Sequence, residues 1–202
     1  MYAVIVKNVK QLNKIFFSIY ERLKQAHKEK KKKTMYSNLN TCQLNAFDSF
    51  TKQQISSIQE KYKGKPIVFT ASSFDLAHAG HALMLEDCKG RFQDAIVIIG
   101  LHSDPTINRD SKNKPVQSIE ERRIIMRSSR FVDEIIEYAT EDDLLNVLRT
   151  LQPDLRVLGS DWRGKAYTGI ELEIPVYFHE RSHDWSTSRL RKRVYEAESV
   201  IL

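Results

Sequence analysis

The feature that most constrains the fold of this chain is a regular alternation of short apolar runs with helix-type segments after Pro66. Five runs have the length and β-branched content of buried strands: PIVFTA, DAIVIIGL, VDEIIEY, DLRVLGS and IPVYFHE. Four segments have the pattern of helices: HALMLEDCKG, SIEERRIIMRSS, EDDLLNVLRTL and STSRLRKRVYEA. This order predicts an α/β fold, with a doubly wound, Rossmann-like parallel sheet of five strands covered by helices on both faces.

The composition of the 202-residue chain fits a soluble protein with one main domain. Hydrophobic residues make up 41% of the sequence and charged residues 29%. No stretch approaches the run of about 20 apolar residues that a membrane-spanning helix needs, and the N-terminus lacks the pattern of a secretory signal. Cys42 and Cys88 are too few for a disulfide framework or a cysteine metal site. We therefore expect a reducing, cytoplasmic environment.

The net charge of +6 is concentrated near the N-terminus. Residues 1–34 contain ten Lys or Arg and two Glu, so the rest of the chain is close to neutral and gives no indication of nucleic-acid binding. Apolar residues at alternating spacings of three and four indicate an amphipathic helix: Val9, Leu12, Phe16, Ile19, Leu23 and Ala26. A second helix is indicated by Phe47, Phe50, Ile58 and Tyr62. We expect residues 1–62 to form a basic, largely helical extension that catalysis does not need, and residues 63–202 to form the α/β domain.

Three interpretations of the basic segment, residues 1–34, stay open. It packs on the domain or on a partner copy, or it lies on an anionic membrane surface. The third interpretation is that it is disordered or not part of the natural product, because the run of lysines ends just before a second methionine, Met35.

Two histidines flank Ala-Gly directly after the first predicted strand, in SFDLAHAGHALMLEDC. His78 and His81 therefore lie at the carboxyl end of the sheet, where a helix begins. Free backbone N–H groups and the helix dipole favour an anion there, and the two imidazoles add donors. Gly80 lets a nucleotide approach the backbone closely. The pattern indicates a phosphate site. A simple helix cap is the plainer alternative, and a metal site is disfavoured because no Cys or carboxylate cluster lies nearby in the sequence.

Five motifs in order extend this pattern: SFDLAHAGH, the loop with HSD and KPV, EERR leading to RFVDEII, LGSDWRGK, and RSHDWSTSRLRKRV. Residues 66–195 thereby resemble the nucleotidyltransferases with the HxGH signature, and within them glycerol-3-phosphate cytidylyltransferase and its relatives. Two departures stand out. Ser72-Ser73 replaces the usual Gly-Thr before Phe-Asp, and residues 181–185 read Arg-Ser-His-Asp-Trp instead of Arg-Thr-Glu-Gly-Ile.

The resemblance implies roles for individual residues. As catalytic residues it implies His78, His81, Lys114 and Arg181. As nucleotide-binding residues it implies Ser73, Phe74, His78, His81, Asp161, Arg181, Ser186, Thr187 and Ser188. As substrate-binding or supporting residues it implies Asp104, Lys112, Arg122, Arg130, Asp133 and Trp162. No protein metal ligand is implied. Taken singly, the charged residues have a simpler explanation as surface or ion-pair positions, and the tryptophans as packing residues.

The resemblance also implies an activity. We expect a cytidylyltransferase that transfers CMP from CTP, accompanied by Mg²⁺, to a small phosphorylated alcohol, with glycerol 3-phosphate favoured and pyrophosphate released. One alternative is an adenylyltransferase acting on a sugar phosphate or another phosphorylated acceptor. A second is a non-catalytic nucleotide-binding scaffold. Because RFVDEII resembles the dimer interface of the family, a homodimer is expected, with a buried strand in a monomer as the simpler reading.

Overall fold

The computed structural model describes residues 41–109 and 112–199, so the predicted stripe of residues 9–26 lies outside the described residues. Five strands are present: β1 (Ile67–Ser72), β2 (Ile96–His102), β3 (Glu134–Tyr138), β4 (Leu155–Gly159) and β5 (Val176–His179). Five α-helices are described with them: α1 (Thr41–Lys61), α2 (Ala79–Lys89), α3 (Ile119–Arg127), α4 (Glu141–Leu151) and α5 (Thr187–Glu198). No helix in these two ranges is long and apolar enough to cross a membrane.

The strands form one parallel sheet in the order β3-β2-β1-β4-β5. The chain moves outward from β1 to β3 and then returns to the other side of β1, so the direction of winding reverses between β1 and β4. Such a switch point leaves a crevice at the carboxyl edge of the sheet, where ligands bind in folds of this type. The predicted Rossmann-like α/β architecture is confirmed.

Alternation along the strands builds a separate apolar layer on each face of the sheet. On one face Phe69, Ile98 and Ile136 pack with residues of α1 and α4. On the other face Val68, Val97 and Ile99 pack with residues of α2 and α3, including Leu85. We call these the α4 face and the α2 face.

Helix α1 contributes to the α4 face through Ile55 and Ile58, which are 1% and 4% exposed. Both residues lie in the segment that the sequence assigns to the basic extension. The compact unit of the chain that contains the sheet begins at Thr51. Helix α1 also confirms the second helix that the sequence predicts.

Local capping fixes where the later helices begin. Ser118 accepts from the backbone N–H of Glu121, and the Glu121 carboxylate accepts from the backbone N–H of Ser118, which forms the predicted capping box of α3. Thr140 and Asp143 form the same reciprocal arrangement at α4. These caps place the loops at the carboxyl edge of the sheet.

Candidate active site

A cavity of about 390 Å³ lies at the carboxyl edge of the sheet and includes the crevice between β1 and β4. Side chains from both faces of the sheet line it. The end on the α2 face contains His78, His81 and Arg181, and the end on the α4 face contains Arg109, Glu141 and Arg156. We call these the histidine end and the arginine-glutamate end. The cavity therefore extends from one face of the sheet to the other across its carboxyl edge.

The two histidines lie at the first turn of α2, as the sequence predicts. His78 is the N-cap in extended conformation, and its carbonyl accepts from His81 N at 2.9 Å. The imidazole rings stack with centroids 3.9 Å apart. A Cβ on Gly80 would lie 2.8 Å from His183 Cε1 and 3.0 Å from the carbonyl oxygen of Trp185. Glycine is therefore required between the histidines by close approach of a neighbouring loop.

The surroundings of both histidines favour the uncharged imidazole, because they lower each pKa below its usual value. Burial, followed by the nearby His78, lowers the pKa of His81 to about 3. Burial, followed by His183 and Arg181, also lowers the pKa of His78. Neither Nδ1 atom has a hydrogen-bond partner within the described part of the chain. Two neutral, stacked imidazoles at a helix N-terminus are suited to donate N–H groups to phosphate oxygens.

Arg181 and the start of α5 complete the histidine end. Arg181 Nη2 lies 3.3 Å from Asp161 Oδ1, and a Cβ at Gly159 would collide with both side chains. Ser186 caps α5 by accepting from Arg189 N at 3.3 Å. Thr187 Oγ1 donates to the carbonyl of Asp75 and lies 3.5 Å from His78 Nε2. A guanidinium and a second helix N-terminus thus lie on the same cavity as the histidines, which suits a polyphosphate.

Asp75 joins three segments around the histidine end. Its buried carboxylate accepts from the backbone N–H groups of Val116 and Gln117 at 3.0 Å and from Arg191 Nη2 at 3.0 Å. Burial acts to raise the pKa of Asp75, but the two N–H groups and the Arg191 guanidinium outweigh it and lower the pKa. Asp75 therefore fixes α5 to the loop that precedes α3.

Arg122 stabilises the backbone at the carboxyl ends of β1 and β2, next to the cavity. It is 1% exposed, and its guanidinium donates to the backbone oxygens of Ser73, His102 and Ser103 at 2.7 Å each. These carbonyls follow or end β1 and β2. Arg122 therefore holds the ends of the two central strands together, which satisfies carbonyls that the sheet leaves unpaired.

The arginine-glutamate end is a polar network on the α4 face. Arg109 Nη2 lies 2.6 Å from Glu141 Oε1, and Thr168 Oγ1 donates to the other oxygen of Glu141. The Arg109 guanidinium lies over the Trp162 ring, with its carbon 5.1 Å from the ring centroid. These groups can donate to and accept from a hydroxyl-bearing ligand.

The structure brings most of the predicted site residues together on this cavity. The lining contains Ser73, His78, His81, Lys112, Asp161, Trp162, Arg181, Ser186, Thr187 and Ser188. The remaining predicted residues do not line it: Phe74, Asp104, Lys114, Arg122, Arg130 and Asp133.

Three of those six residues lie close to the cavity and act on its walls. Phe74 is fully buried with a φ of 48°, and its ring lies 5.2 Å from that of His81. Asp104 caps the short 3₁₀ helix Pro105–Ile107 by accepting from Thr106. The backbone oxygen of Lys114 accepts from Arg191 Nη2 at 2.5 Å. Their described contacts are with the protein.

Two residues lie away from the cavity. Asp133 precedes β3, where it accepts from Val97 N at 2.7 Å and from Lys89 Nζ at 2.6 Å. Val97 lies near the beginning of β2, so Asp133 is at the amino edge of the sheet, opposite the cavity. The Arg130 side chain is 81% exposed, and its nearest carboxylate is that of Glu86 at 3.9 Å. We therefore do not assign Asp133 or Arg130 a substrate contact.

Sequence reasoning missed the arginine-glutamate end. Glu141, Arg156, Tyr167 and Thr168 lie in segments that match no motif, and a polar residue within the buried strand DLRVLGS is the one signal that could have drawn attention to Arg156. His179 was also missed. Its Nδ1 lies 2.7 Å from Asp87 Oδ2, a pairing between residues 92 positions apart.

Comparison with known proteins agrees with this geometry. The sequence model of the family described as cytidylyltransferase-like matches residues 69–193, more than half of the chain. The chain belongs to the cytidylyltransferase-like family. The matched span includes both cavity ends and the HxGH signature at His78–His81, so the family resemblance stated from the sequence is confirmed.

Individual relatives match this cytidylyltransferase-like domain. The Bifunctional protein HldE of Campylobacter curvus is 33% identical over 147 residues, which cover 72% of this chain and 31% of that protein. The protein of the same name from Campylobacter concisus is 28% identical and is covered over 36% of its length. The chain thus spans about a third of the curated relatives it matches. A crystal structure of the lipopolysaccharide core biosynthesis protein from Thermoplasma volcanium aligns with 60% of this chain and all of that chain, at 23% identity and a TM-score of 0.48.

Proposed function

We propose that this member of the cytidylyltransferase-like family transfers a nucleotidyl group from a nucleoside triphosphate to the phosphate of a sugar phosphate. The observation that carries the proposal is the two-ended cavity. One end combines two helix N-termini, two imidazoles and a guanidinium, and the other is a polar network on the opposite face of the sheet.

The histidine end is suited to the triphosphate. Backbone N–H groups at the starts of α2 and α5, together with Arg181, provide donors for the negative charge that builds up on the leaving β- and γ-phosphates. His78 and His81 add uncharged donors from one side. A phosphate oxygen of the acceptor attacks the α-phosphorus, the bond from that phosphorus to the bridging oxygen breaks, and pyrophosphate leaves with the electron pair. No covalent intermediate with the protein is required, since positioning and charge neutralisation account for catalysis of this type.

The arginine-glutamate end is suited to a hydroxyl-rich acceptor. Glu141 accepts while Arg109 and Thr168 hold it in place, so both donors and acceptors are presented to the ligand. Trp162 provides a flat apolar surface beside them. A sugar phosphate has more hydroxyl groups than glycerol 3-phosphate, so it can form more hydrogen bonds with these side chains.

Mg²⁺ would neutralise charge on the triphosphate. Magnesium prefers oxygen ligands and keeps several waters. Among residues 41–109 and 112–199 no group of three or more His, Cys, Asp or Glu is arranged to hold a metal ion. The Asp161 carboxylate, exposed on the cavity beside Arg181, is a protein oxygen that would hold the ion. We propose that the ion arrives with the nucleotide.

Pyrophosphate release tests the proposal. The full chain is assayed with each of four nucleoside triphosphates against hexose and pentose phosphates, glycerol 3-phosphate and no acceptor, and products are identified by mass. CTP is the donor expected from the sequence and ATP the alternative. We expect acceptor-dependent pyrophosphate release with a sugar phosphate, and a His78→Ala/His81→Ala double variant as the inactive control. Activity with glycerol 3-phosphate alone would contradict the proposal and support the glycerol-3-phosphate cytidylyltransferase activity expected from the sequence. Nucleotide binding without turnover of any acceptor would favour the scaffold alternative.

A further inference from the structure

Arg156 is a buried cation that the proposed chemistry has not used. It lies in β4 and is 3% exposed, although arginine is rarely buried to this extent without a charged partner. Its Nη1 donates to the backbone oxygen of Thr168. Its Nε is buried and has no partner within the described part of the chain. No direct ion pair of Arg156 is described there, so part of its donor capacity is unused.

The side chain of Arg156 lies beside the cavity. Arg156 is one of the residues that line the arginine-glutamate end, together with Glu141 and Tyr167. It lies three residues before Gly159, the residue against which Arg181 packs, so its Cα is about 10 Å deeper along the strand. A ligand that reaches both Arg156 and the reacting phosphate must therefore extend along this face.

The part of the acceptor that reaches Arg156 follows from the proposed reaction. The Glu141 carboxylate on the same end already pairs with Arg109, and Glu171 lies 3.9 Å from Arg149 and does not line the cavity. Neither carboxylate is described in an ion pair with Arg156. Because the phosphate of the acceptor is its reacting group, the groups that extend toward Arg156 are the hydroxyls of the sugar, whose oxygens can accept from a guanidinium.

We propose that Arg156 determines acceptor specificity by donating to hydroxyl oxygens of the sugar, at the end remote from its reacting phosphate. This inference rests on the proposed function, because it names the part of the acceptor that the same cavity recognises. A three-carbon alcohol phosphate would leave this donor unused, whereas a hexose phosphate would satisfy it. The Tyr167 ring, whose centroid lies 5.4 Å from the Arg156 guanidinium carbon, keeps the guanidinium in place.

The test compares Arg156→Lys and Arg156→Met with Arg163→Met. Arg163 follows the same strand, is exposed, pairs with Glu180, and does not line the cavity. For each protein KM is measured for the nucleoside triphosphate, for the best hexose phosphate and for glycerol 3-phosphate. Binding of the hexose phosphate without nucleotide is measured by calorimetry. Arg156→Lys retains the cation and therefore provides a folded comparison if Arg156→Met proves unstable.

We expect both Arg156 variants to raise the KM and the Kd for the hexose phosphate at least about tenfold, as loss of a charge-assisted hydrogen bond to a ligand does. The KM for the triphosphate and for glycerol 3-phosphate, and every constant of Arg163→Met, should change less than about twofold. Equal losses with both acceptors, or an unchanged Kd for the hexose phosphate, would overturn the inference and leave Arg156 as a loop anchor. If the parent protein turns over no acceptor, the proposed function fails, while the calorimetric comparison still decides the role of Arg156. If the parent protein binds no hexose phosphate, the inference about Arg156 is also overturned.

Discussion

At the scale of single residues, burial changes what His81 can do. The imidazole lies against His78 in the first turn of α2 and is kept neutral in the folded protein. A neutral histidine donates one N–H and leaves the other nitrogen as an acceptor, so the phosphate-binding role that we propose for His81 depends on the orientation of the ring more than on its charge. The same burial makes the stability of the protein depend on pH.

The free energy of unfolding should fall in acid because of His81. Burial and His78 lower its folded-state pKa to about 3, below the unfolded value of 6.5. The unfolded chain therefore binds a proton below pH 6.5 that the folded chain does not, and stability falls as the pH drops through that range. Between pH 7 and pH 5 we expect a loss of about 2 kcal/mol from this group. Urea unfolding at both pH values measures it. The His81→Gln variant lacks this titrating group, so its free energy of unfolding should fall by about 2 kcal/mol less between the two pH values. An equal fall in both proteins would contradict the prediction.

Removal of either imidazole should reduce turnover. We expect His78→Ala and His81→Ala to lower kcat by roughly 10²-fold. Each substitution removes a hydrogen-bond donor that would stabilise the negative charge developing on the phosphates in the transition state. The substrate pair identified by pyrophosphate release is used, and circular dichroism verifies that both variants are folded. Near-normal turnover in both would remove the histidines from the proposed phosphate site.

Arg181→Ala should affect the triphosphate more than the acceptor. Its guanidinium lies beside Asp161 at the histidine end, away from the arginine-glutamate end. A planar guanidinium suits the leaving pyrophosphate. Steady-state kinetics with each substrate varied in turn should show a larger rise in KM for the triphosphate. A rise confined to the acceptor would reverse the assignment of the two cavity ends.

At the scale of secondary-structure elements, the position of α5 depends on contacts distant in sequence. Its N-terminus carries Ser186 and Thr187, and its first two turns are held to the loop after β1 by Thr187 and Arg191. A helix N-terminus can bind phosphate only if it is fixed relative to the other donors. Asp75 therefore serves the site as a positioning residue.

Asp75→Asn should destabilise the domain and disturb α5. The variant keeps the shape of the side chain but removes the charge that faces Arg191. Breaking a buried pair typically costs a few kcal/mol, and we expect a loss of about 2 kcal/mol because the amide oxygen retains some hydrogen bonds. Chemical denaturation measures stability, and the KM for the triphosphate should rise in parallel. As the control, Asp184→Asn changes an exposed aspartate that pairs with Arg189 on the same helix. Equal effects of both variants would argue against the role of Asp75.

At the scale of the whole molecule, residues 51–61 of helix α1 are part of the core of the sheet domain. Ile55 and Ile58 are as deeply buried as the strand residues on the α4 face. A chain that begins after this helix would expose that apolar layer. This part of α1 therefore belongs with the sheet domain, although the sequence places it in the N-terminal extension.

Ile55→Ala should lower the free energy of unfolding by roughly 2–4 kcal/mol, which is typical of a large buried residue that leaves a cavity. Gln53→Ala, an exposed substitution on the same helix, should change it by less than about 0.5 kcal/mol. Urea denaturation gives both values. The KM for each substrate should stay the same in the folded protein, since Ile55 does not line the cavity. A stability loss no larger than that of the control would mean that α1 contributes little to the core.

Sequence alone determined the features that depend on local pattern. Buried strands have continuous apolar runs, and helices have caps such as Ser118 with Glu121, so element order and the parallel sheet could be predicted. His78 and His81 could be placed because a motif directly after a strand must lie at the carboxyl edge of such a sheet. Arg181, Ser186 and Thr187 were predicted from the family resemblance, and the structure places them on the same cavity.

Tertiary structure decided the features that depend on residues far apart in the chain. Asp75 meets Arg191, Asp87 meets His179, and Arg109 meets Glu141, and no local pattern specifies such partners. The family motif implies that Asp133 binds substrate or supports the site. In the structure its carboxylate instead accepts from the backbone N–H of Val97 at the amino edge of the sheet. Arg156 is a polar interruption of a strand when seen in sequence. It becomes a candidate specificity residue because the switch point between β1 and β4 places a cavity over it, and that crevice arises from the order in which the strands pack.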